Sequence, residues 1–464
     1  MDHIKRTKII ATLGPSITGN FFTLKEFENP KNANEINKAK TLIKDLILSG
    51  VDTFRFNFSH GDHEEQLVRL KMIRSVLAEH KLGVSLLLDT KGPEIRIGKM
   101  KASSASIKIG NSVTLHTNNL KLEGTSKDLS IYASSKDYFM EKDVKVGDKI
   151  FIDDGKLKLI TTAVDMKNHT ITAVAQNSHV VKTNKRINLP DADYTMKFMN
   201  EKDVKDIKFA VDNNFDYIAA SFVSSVYNVK EIKNEIEKHG GSGIQIISKI
   251  ETGTAIKNID DIIGVSDAIM VARGDLGLEI PYYEIPYWEK YIIKACRFFG
   301  RPVIVATQML DSLETKVQPT RAEVTDVFFA VDRGTDATML SGETANGAFP
   351  LNAVQVMAKI NTISEKLFDY ERAYSFYFKE TPFFKQKFGR IIQDVAKTVS
   401  PKKAIKNSDF THDSIIYFGN NSEKIRALSN ARPAAMIFVV TDIKEFNSFF
   451  GIYYGVKILL QKDI

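Results

Sequence analysis

Residues 244–281 read IQIISKIETGTAIKNIDDIIGVSDAIMVARGDLGLEIP, and this stretch decides the fold. It contains two apolar runs of strand length, residues 244–250 and 268–272, separated by a segment whose apolar residues have helical spacing. Each run ends in charged residues, which are Lys249 and Glu251 in the first run and Arg273 and Asp275 in the second. Because charge at the end of a buried strand serves no structural purpose, we predict two strands that end at the rim of an active site.

The same alternation of strand and helix extends over most of the chain. Eight apolar runs of strand length are separated by segments with helical spacing. The runs are KIIATLGPS, TFRFNFSHG, VSLLLDT, DYIAASF, IQIISKI, AIMVA, VIVATQM and ATMLSGE. Eight strands alternating with helices are typical of a (β/α)₈ TIM barrel. We assign residues 1–94 and 191–364 to this barrel.

Two further regions differ from the barrel pattern. Residues 95–190 consist of short alternating runs broken by Gly, Asn and Asp, which predicts a small all-β domain inserted after the third strand. From residue 365 the sequence predicts a separate C-terminal α/β domain over residues 365–464, apparently truncated. Residues 20–37, rich in Asn, Lys and Phe, are expected to form an unusually long connection within the barrel.

Composition excludes several classes of protein. With 43% hydrophobic and 26% charged residues among 464, the chain is neither disordered nor of low complexity. The net charge of +7 comes mostly from scattered lysines, without a basic run interleaved with aromatics, so we expect no nucleic-acid partner. A single cysteine, Cys296, in an apolar helical run favours a buried side chain and an intracellular setting. The N-terminal residues MDHIKRTKII have no apolar core of signal-peptide length, and no uninterrupted apolar run approaches the length of a membrane span, so we expect a cytoplasmic protein.

Polar residues recur where the predicted barrel strands end. In a (β/α)₈ barrel these ends share one rim, and residues two apart on a strand face the same side. The candidates are Thr12, Arg55, Asn57, Ser59, Asp89, Thr90, Lys249, Glu251, Asp275, Thr307, Ser341 and Glu343. Taken singly, Lys249 and Glu251 are compatible with an internal ion pair, and Asp89 with a cap. Taken together, so much charge at one rim costs too much desolvation in the absence of a ligand.

These candidates fall into three chemical kinds. Glu251 and Asp275 form a carboxylate pair without a dense set of His or Cys, which suits Mg²⁺ or Mn²⁺. The cationic residues, with the backbone of residues 272–274, are suited to bind phosphate and carboxylate groups. They are Arg55, Arg96, Lys249 and Arg273. The third kind supplies oxygen atoms for a monovalent cation or for bonds among themselves, and consists of Asn57, Ser59, Asp89 and Thr90.

In ten motifs, which cover residues 4 to about 355, the chain resembles the pyruvate kinase family. They are TKIIATLGPS, FNFSHGDHE, LLLDTKGPEIR, IDDGKL, INLP, ISKIET, IMVARGDLGLEIP, RPVIVATQML, PTRAEVTDV and MLSGETANGAFP. The resemblance implies phosphoryl transfer from phosphoenolpyruvate to ADP in glycolysis, giving pyruvate and ATP. It also implies a homo-oligomer, a tetramer in the family, and a small β domain that acts as a lid over the nucleotide.

The resemblance also implies roles for individual residues. Lys249 stabilises the transferring phosphoryl group with help from Arg55, and Glu251 and Asp275 hold Mg²⁺ or Mn²⁺. Thr307 lies near the carbon that is protonated, with Ser341 and Glu343 in the proton path or its support. The backbone of Ala272, Arg273 and Gly274 binds the substrate carboxylate. K⁺ binds at Asn57, Ser59, Asp89 and Thr90, and Thr90 with Glu94 is typical of members that require K⁺. The nucleotide contacts are Thr12, Pro15, His60, Arg96, Asp154 and Lys185.

Some positions depart from the family pattern. Arg186 and Asp191 stand where Gly is common around the NLP segment, and Ser224 replaces a frequent Arg. The loop that grips an effector phosphate in the family is represented only by Asn420, Asn421 and Ser422. The alternatives are a catalytically impaired relative of pyruvate kinase and another Mg²⁺-dependent TIM-barrel enzyme that acts on an oxo acid.

Overall fold

The chain forms a parallel β-barrel with a second, smaller barrel inserted into it. The computed structural model describes residues 5–190, 192, 194–370, 373, 392, 395, 398–399 and 414–461. Within these residues, eight parallel strands close the larger barrel in the order β1-β17-β16-β15-β14-β13-β3-β2. These strands are β1 Lys8–Thr12, β2 Thr53–Asn57, β3 Ser85–Asp89, β13 Tyr217–Ala220, β14 Gln245–Ile250, β15 Ala268–Ala272, β16 Val303–Ala306 and β17 Ala337–Leu340. The predicted (β/α)₈ barrel is confirmed.

The strands of the larger barrel are buried on both faces. Along β1, Ile9 and Ala11 pack in the layer between strands and helices, whereas Ile10 belongs to the cluster inside the barrel. Because neither face meets water, a barrel strand reads as a continuous apolar run rather than an alternating one. This burial makes a polar or charged residue at a strand end conspicuous in the sequence.

Helices follow the barrel strands. They are α1 Pro15–Thr18, α2 Leu24–Phe27, α3 Ala33–Leu48, α4 His63–His80, α5 Glu201–Asp212, α6 Val226–Lys238, α7 Gly253–Lys257, α8 Ile259–Val265, α9 Arg273–Glu279, α10 Ile285–Phe299, α11 Arg321–Asp332, α12 Gly342–Ala345 and α13 Pro350–Glu365. Cys296 on α10 is fully buried, as predicted for a small core side chain, and burial raises the pKa of its thiol. Among the helices that the structure describes, none has the length and apolar character needed to cross a bilayer.

Residues 20–37 are more regular than predicted. They contain α2, a 3₁₀ turn at Pro30–Asn32 and the beginning of α3, whereas we expected a loop up to residue 37. Thr23 and Glu26 form a capping box in which each side chain accepts a hydrogen bond from the other residue's backbone. The prediction of an irregular loop over these residues was therefore wrong, because the capping box at Thr23 and Glu26 starts helix α2.

The inserted domain is a second closed barrel with its own apolar core. Its strands pair in the order β10-β6-β7-β4-β12-β8-β9, and β5 pairs separately with β11. These strands are β4 Ile95–Ile97, β5 Ser104–Ile107, β6 Ser112–His116, β7 Asp128–Ala133, β8 Lys149–Ile152, β9 Leu157–Asp165, β10 Thr170–Ala175, β11 His179–Lys182 and β12 Arg186–Asn188. The predicted all-β insertion is confirmed, and we call it the small barrel.

The described part of the C-terminal region is an α/β layer. It packs against the end of the barrel where the parallel strands begin, opposite the rim where they finish. Its parallel strands are β18 Ser414–Phe418, β19 Met436–Thr441 and β20 Val456–Leu460, with helices α14 Ser422–Asn430 and α15 Phe446–Phe449. Lys8 Nζ donates to the Val456 carbonyl at 2.7 Å, and Arg432 pairs with Asp336 at 2.5 Å. Most of residues 371–413 and Asp191 lie outside the described residues. The exact domain bounds given above stay a prediction.

Asp216, where the barrel meets the C-terminal region, predicts a pH dependence of stability. Its carboxylate accepts hydrogen bonds from Ser448 Oγ at 2.5 Å and Leu86 N at 2.7 Å, but burial outweighs them and raises its pKa to about 6. An acid with a raised pKa stabilises the fold fully below its unfolded pKa of about 3.9, and this contribution is lost as pH rises through about 6.

We therefore expect Asp216→Asn to remove a pH-dependent contribution on the order of 1–2 kcal/mol. Urea unfolding of both proteins at pH 5 and pH 7.5 measures it, with the difference between their midpoints as the readout. The wild type should lose stability relative to the variant as pH rises. An unchanged difference between the two pH values would show that Asp216 does not titrate in this range.

Candidate active site

A polar cleft of about 470 Å³ lies between the strand ends of the larger barrel and the small barrel. Ten predicted site residues line it, which are Arg55, Asn57, Ser59, His60, Arg96, Asp154, Lys185, Lys249, Glu251 and Asp275. The other lining residues are Lys91, Glu94, Asp153, Thr183, Asn184, Arg186, Ser221 and Phe222. The structure thus brings together the charged ends of β2 and β14, the start of α9 and one face of the small barrel.

Lys249 is the central cation of the cleft. Its side chain is nearly buried, and Nζ donates to Asp89 Oδ1 at 3.0 Å and to Ser221 Oγ at 2.8 Å and lies 3.0 Å from Glu251 Oε1. Burial alone would lower its pKa, but the carboxylates of Asp89 and Glu251 outweigh burial and raise it. The ammonium therefore stays charged at neutral pH.

Arg55 lies beside Lys249 and is fixed in the same way. Its Nε donates to Asp89 Oδ2 at 2.6 Å, and an Nη donates to Thr12 Oγ1 at 3.0 Å. Burial would raise the pKa of Asp89, yet Arg55 and Lys249 hold it below its ordinary value. Asp89 and Thr12 therefore act beneath the cleft, where they orient the two cations that line it.

Glu251 and Asp275 form the predicted carboxylate pair. Burial raises the pKa of Glu251 to about 7, against the opposing effect of Lys249. Burial also acts on Asp275, but Arg186 and Lys249 outweigh it and the pKa of Asp275 is lowered. Among the described residues, no group of three or more His, Cys, Asp or Glu could hold a metal. Two carboxylates fit Mg²⁺, which commonly takes one or two carboxylates and completes its shell with substrate and water.

The predicted K⁺ ligands meet at the ends of β2 and β3. Asn57 pairs with Asp89 across these strands, and Asn57 Oδ1 accepts from Ser59 N at 3.1 Å. Thr90 Oγ1 accepts from Ser221 N at 3.1 Å. All four residues offer oxygen donors, which is the donor type that suits a hard cation. Both oxygens of Asp89 are already engaged by Arg55 and Lys249, so Asp89 contributes to this set mainly as charge.

The predicted substrate-carboxylate residues lie next to the cleft rather than along it. The Arg273 guanidinium points to the outer face, where it pairs with Asp326 at 2.6 Å and Glu289 at 3.2 Å and donates to the Thr307 carbonyl at 2.8 Å. These contacts occupy the guanidinium of Arg273. The prediction that its side chain binds a phosphate or carboxylate group in the cleft is therefore wrong. Its backbone, between Ala272 and Gly274, remains at the end of β15.

Thr307 has an unusual backbone. Its φ of 68° and the φ of 52° at Gln308 are left-handed values, which non-glycine residues rarely adopt. Thr307 Oγ1 donates to the Ala306 carbonyl at 2.6 Å and accepts from Gly274 N at 2.7 Å. Strained backbone of this kind clusters at functional sites, and here it joins the ends of β15 and β16.

Ser341 and Glu343 also lie outside the cleft. Glu343 is buried, and its two carboxylate oxygens accept from Leu310 N at 3.0 Å and Ser341 N at 2.7 Å. Burial raises its pKa in spite of these bonds. Ser341 Oγ is buried without a hydrogen-bond partner among the described residues. The geometry makes Glu343 a brace between two backbone segments.

The predicted nucleotide residues are divided between the two barrels. Arg96 makes a two-pronged contact with Glu94, both distances being 2.9 Å, and Lys185 pairs with Asp153 at 2.7 Å. Desolvation where His60 faces the cleft, together with the nearby Arg96 guanidinium, lowers the pKa of His60. Pro15 is exposed in the first turn of α1, away from the cleft lining. Four of the six residues thus surround one cleft.

Comparison with known proteins gives the family. The family model described as pyruvate kinase, barrel domain, matches residues 4–354. The chain is 49% identical to the pyruvate kinase of Mycoplasma genitalium over 98% of its length and 90% of the relative, and 48% identical to that of Mycoplasma pneumoniae over 98% and 89%. The chain belongs to the pyruvate kinase family. A crystal structure of a pyruvate kinase from Cryptosporidium parvum has the same fold, with a TM-score of 0.85 and 33% identity over 98% of this chain and 87% of that one. The function is therefore that of a pyruvate kinase, a transferase of glycolysis.

Several residues that line this cleft were not predicted as site residues. Ser221 and Phe222 follow β13, the barrel strand for which no candidate was predicted, although their position after a buried run was a usable signal. Arg186 was noted only as a departure from the family pattern. It forms an ion pair with Asp275, and its guanidinium lies 4.6 Å from the centre of the Phe222 ring. No local pattern indicates this contact, because its partners are about 90 residues apart in sequence.

A larger cavity of about 650 Å³ shares Phe222 with the cleft. It is lined by both connections to the small barrel, at Pro93 and Pro190, and by Trp288 and Glu279. Lys249, Glu251 and Asp275 all line the smaller cleft, whereas none of them lines the larger cavity.

Proposed function

We propose that this cleft is a phosphotransferase site that moves the phosphoryl group of phosphoenolpyruvate to ADP. The observation that carries the proposal is the meeting of two buried cations, Lys249 and Arg55, with the carboxylate pair Glu251 and Asp275. Phosphoryl transfer needs little covalent chemistry from the protein. It depends on alignment and on positive charge placed in advance around the moving group.

The reaction proceeds in two steps. A β-phosphate oxygen of ADP attacks the phosphorus, the bond from phosphorus to the enol oxygen breaks, and ATP and enolpyruvate are formed. Lys249 and Arg55 stabilise the charge that spreads over the phosphoryl oxygens. In the second step, the methylene carbon of enolpyruvate takes up a proton and pyruvate is formed. Thr307 lies near this carbon, with Ser341 and Glu343 as support for the proton path.

Glu251 and Asp275 would hold Mg²⁺ or Mn²⁺. A divalent cation held there would supply positive charge that offsets the negative charge developing on the substrate. The residues themselves set the geometry, because Glu251 Oε2 accepts from Phe222 N at 2.7 Å and is thereby fixed at the strand end. The backbone of Ala272, Arg273 and Gly274 binds the substrate carboxylate.

The small barrel acts as a lid in this proposal. Arg96, Asp154 and Lys185 belong to it and face His60 across the cleft. Thr12 and Pro15, the other two nucleotide contacts implied by the resemblance, belong to the larger barrel and do not line the cleft. A nucleotide between the two barrels would be shielded from water when the lid closes. We propose the division into residues 1–94 with 191–364, 95–190 and 365–464 from the pattern of strands and helices in the sequence, and a homo-oligomeric assembly from the family resemblance.

A steady-state assay with the purified chain tests the function. With phosphoenolpyruvate, ADP, Mg²⁺ and K⁺, we expect equal amounts of pyruvate and ATP to form. Both products need to be measured, because pyruvate without ATP indicates hydrolysis and not transfer. Pyruvate without ATP, or no turnover with either Mg²⁺ or Mn²⁺, would contradict the proposal.

We also expect activity to require K⁺. Asn57, Ser59 and Thr90 supply neutral oxygens at one end of the cleft, beside the fully buried charge of Asp89. A monovalent cation there would add positive charge near the phosphoryl group. The expected result is a loss of at least about tenfold in kcat when K⁺ is replaced by a tetraalkylammonium ion. Full activity in a buffer free of both K⁺ and Na⁺ would contradict it.

A further inference from the structure

One strand of the small barrel runs alongside α9 and contacts it at two points. Arg186 and Asn188 are two residues apart on β12 and face the same side, and Asp275 and Glu279 are one turn apart on α9. Asn188 Nδ2 donates to Glu279 Oε1 at 2.9 Å, and Arg186 forms its ion pair with Asp275. The small barrel is therefore joined to the larger one directly at a carboxylate of the cleft.

The surroundings of Arg186 hold its guanidinium in place. Its side chain is 15% exposed, and its guanidinium lies over the ring of Phe222. Phe222 has a left-handed φ of 61°, and its backbone N–H donates to Glu251. One Nη of Arg186 is buried without a hydrogen-bond partner among the described residues. Arg186 thus contacts Asp275, one carboxylate of the proposed metal site, directly. It also contacts Phe222, whose backbone N–H orients Glu251, the other carboxylate.

The Arg186 guanidinium in this position hinders the binding of a metal cation to the Asp275 carboxylate. A divalent ion at Asp275 has to compete with the guanidinium for the carboxylate oxygens and also meets the repulsion of its charge. A phosphate group in the cleft changes this balance, because a guanidinium binds phosphate as well as carboxylate through charge-assisted hydrogen bonds. The unpartnered Nη is a donor that such an anion could satisfy.

We propose that Arg186 is a positioning residue that makes divalent-cation binding at Asp275 dependent on an anionic substrate. In the absence of substrate, Arg186 competes with the cation. A substrate phosphate draws the guanidinium away and frees Asp275. The inference rests on the proposed function, which supplies the cation and the phosphate. The two ligands would then bind with positive coupling, and this coupling acts equally in both directions.

Titration with Mn²⁺, followed through the electron paramagnetic resonance signal of the free ion, tests the inference without measuring turnover. The full chain is compared with Arg186→Gly, which introduces the residue common in the family, and with Arg186→Gln, which keeps a polar side chain if the glycine variant does not fold. Without phosphoenolpyruvate we expect both variants to bind Mn²⁺ about tenfold more tightly than the wild type. With saturating phosphoenolpyruvate and no nucleotide, the difference should fall to within about twofold.

Lys185→Ala is the matched control. Lys185 is the neighbouring cation, lines the same cleft and pairs with Asp153 rather than Asp275. Its removal should change Mn²⁺ affinity by no more than about twofold. Equal tightening in Lys185→Ala and the Arg186 variants would overturn the inference, since it would show a general effect of charge. Wild-type affinity in the Arg186 variants would also overturn it. Because no nucleotide is present, either result is distinct from a failure of the assay for phosphoryl transfer.

Discussion

Lys249→Met is expected to lower the rate of phosphoryl transfer by about 10³-fold or more, while pyruvate continues to exchange its methyl protons with solvent. Methionine keeps a flexible chain of similar length but removes the charge that faces the phosphoryl oxygens. Proton exchange at pyruvate involves no phosphoryl group, so it should fall by no more than about tenfold. Formation of ATP measures the first step, and incorporation of deuterium into pyruvate measures the second.

The exchange measurement separates a chemical role of Lys249 from a structural one. Loss of this cation leaves Glu251 without its closest positive partner, whereas Asp89 keeps Arg55. General damage to the site would therefore lower both steps together. Lys91→Met is a suitable control, because Lys91 lines the same cleft, pairs with Glu94 and has no proposed role in binding or catalysis. Equal losses in both steps of Lys249→Met would show that the assigned role is wrong.

The barrel and most of its rim could be predicted because burial leaves a signature in the sequence. The strand Ala268–Ala272 is buried throughout and appears as an unbroken apolar run. The charges that follow such runs, as at Lys249 and Glu251, were placed correctly in one cleft because all parallel strands of a barrel end at the same rim. Local pattern and fold topology were sufficient for these residues.

The direction in which a side chain points, and its contacts with residues that are distant in sequence, could not be predicted in the same way. Arg273 follows a strand as closely as Glu251 does, yet its guanidinium turns outward to Glu289 and Asp326. Strand spacing does not determine which way a residue at the start of a helix points. The contact between Arg186 and Asp275 depends on how the small barrel sits on the larger one. In contrast, the capping pair Thr23 and Glu26 was readable in the sequence, although the helix that it starts spans only Leu24–Phe27.

Glu251→Gln is expected to weaken Mn²⁺ binding by about 100-fold and to remove most of its pH dependence between pH 6 and 7. Burial raises the pKa of Glu251 to about 7, so the carboxyl is increasingly protonated as pH falls below that value. A divalent cation binds the ionised form. Wild-type affinity should therefore fall with decreasing pH and approach tenfold per unit below pH 7. Glutamine has nearly the same shape but does not titrate.

Glu279→Gln provides the comparison that makes this test specific to the cleft. Burial raises the pKa of Glu279 to about 7 as well, but its side chain faces Asn188 and the larger cavity and does not line the cleft. If the metal is held by Glu251 and Asp275, Glu279→Gln should keep wild-type Mn²⁺ affinity within about threefold and the full pH dependence. A pH dependence that survives in Glu251→Gln and disappears in Glu279→Gln would move the metal to the other side of Phe222. Since burial raises the pKa of both carboxyls, a difference between the two variants would reflect their different positions relative to the cleft.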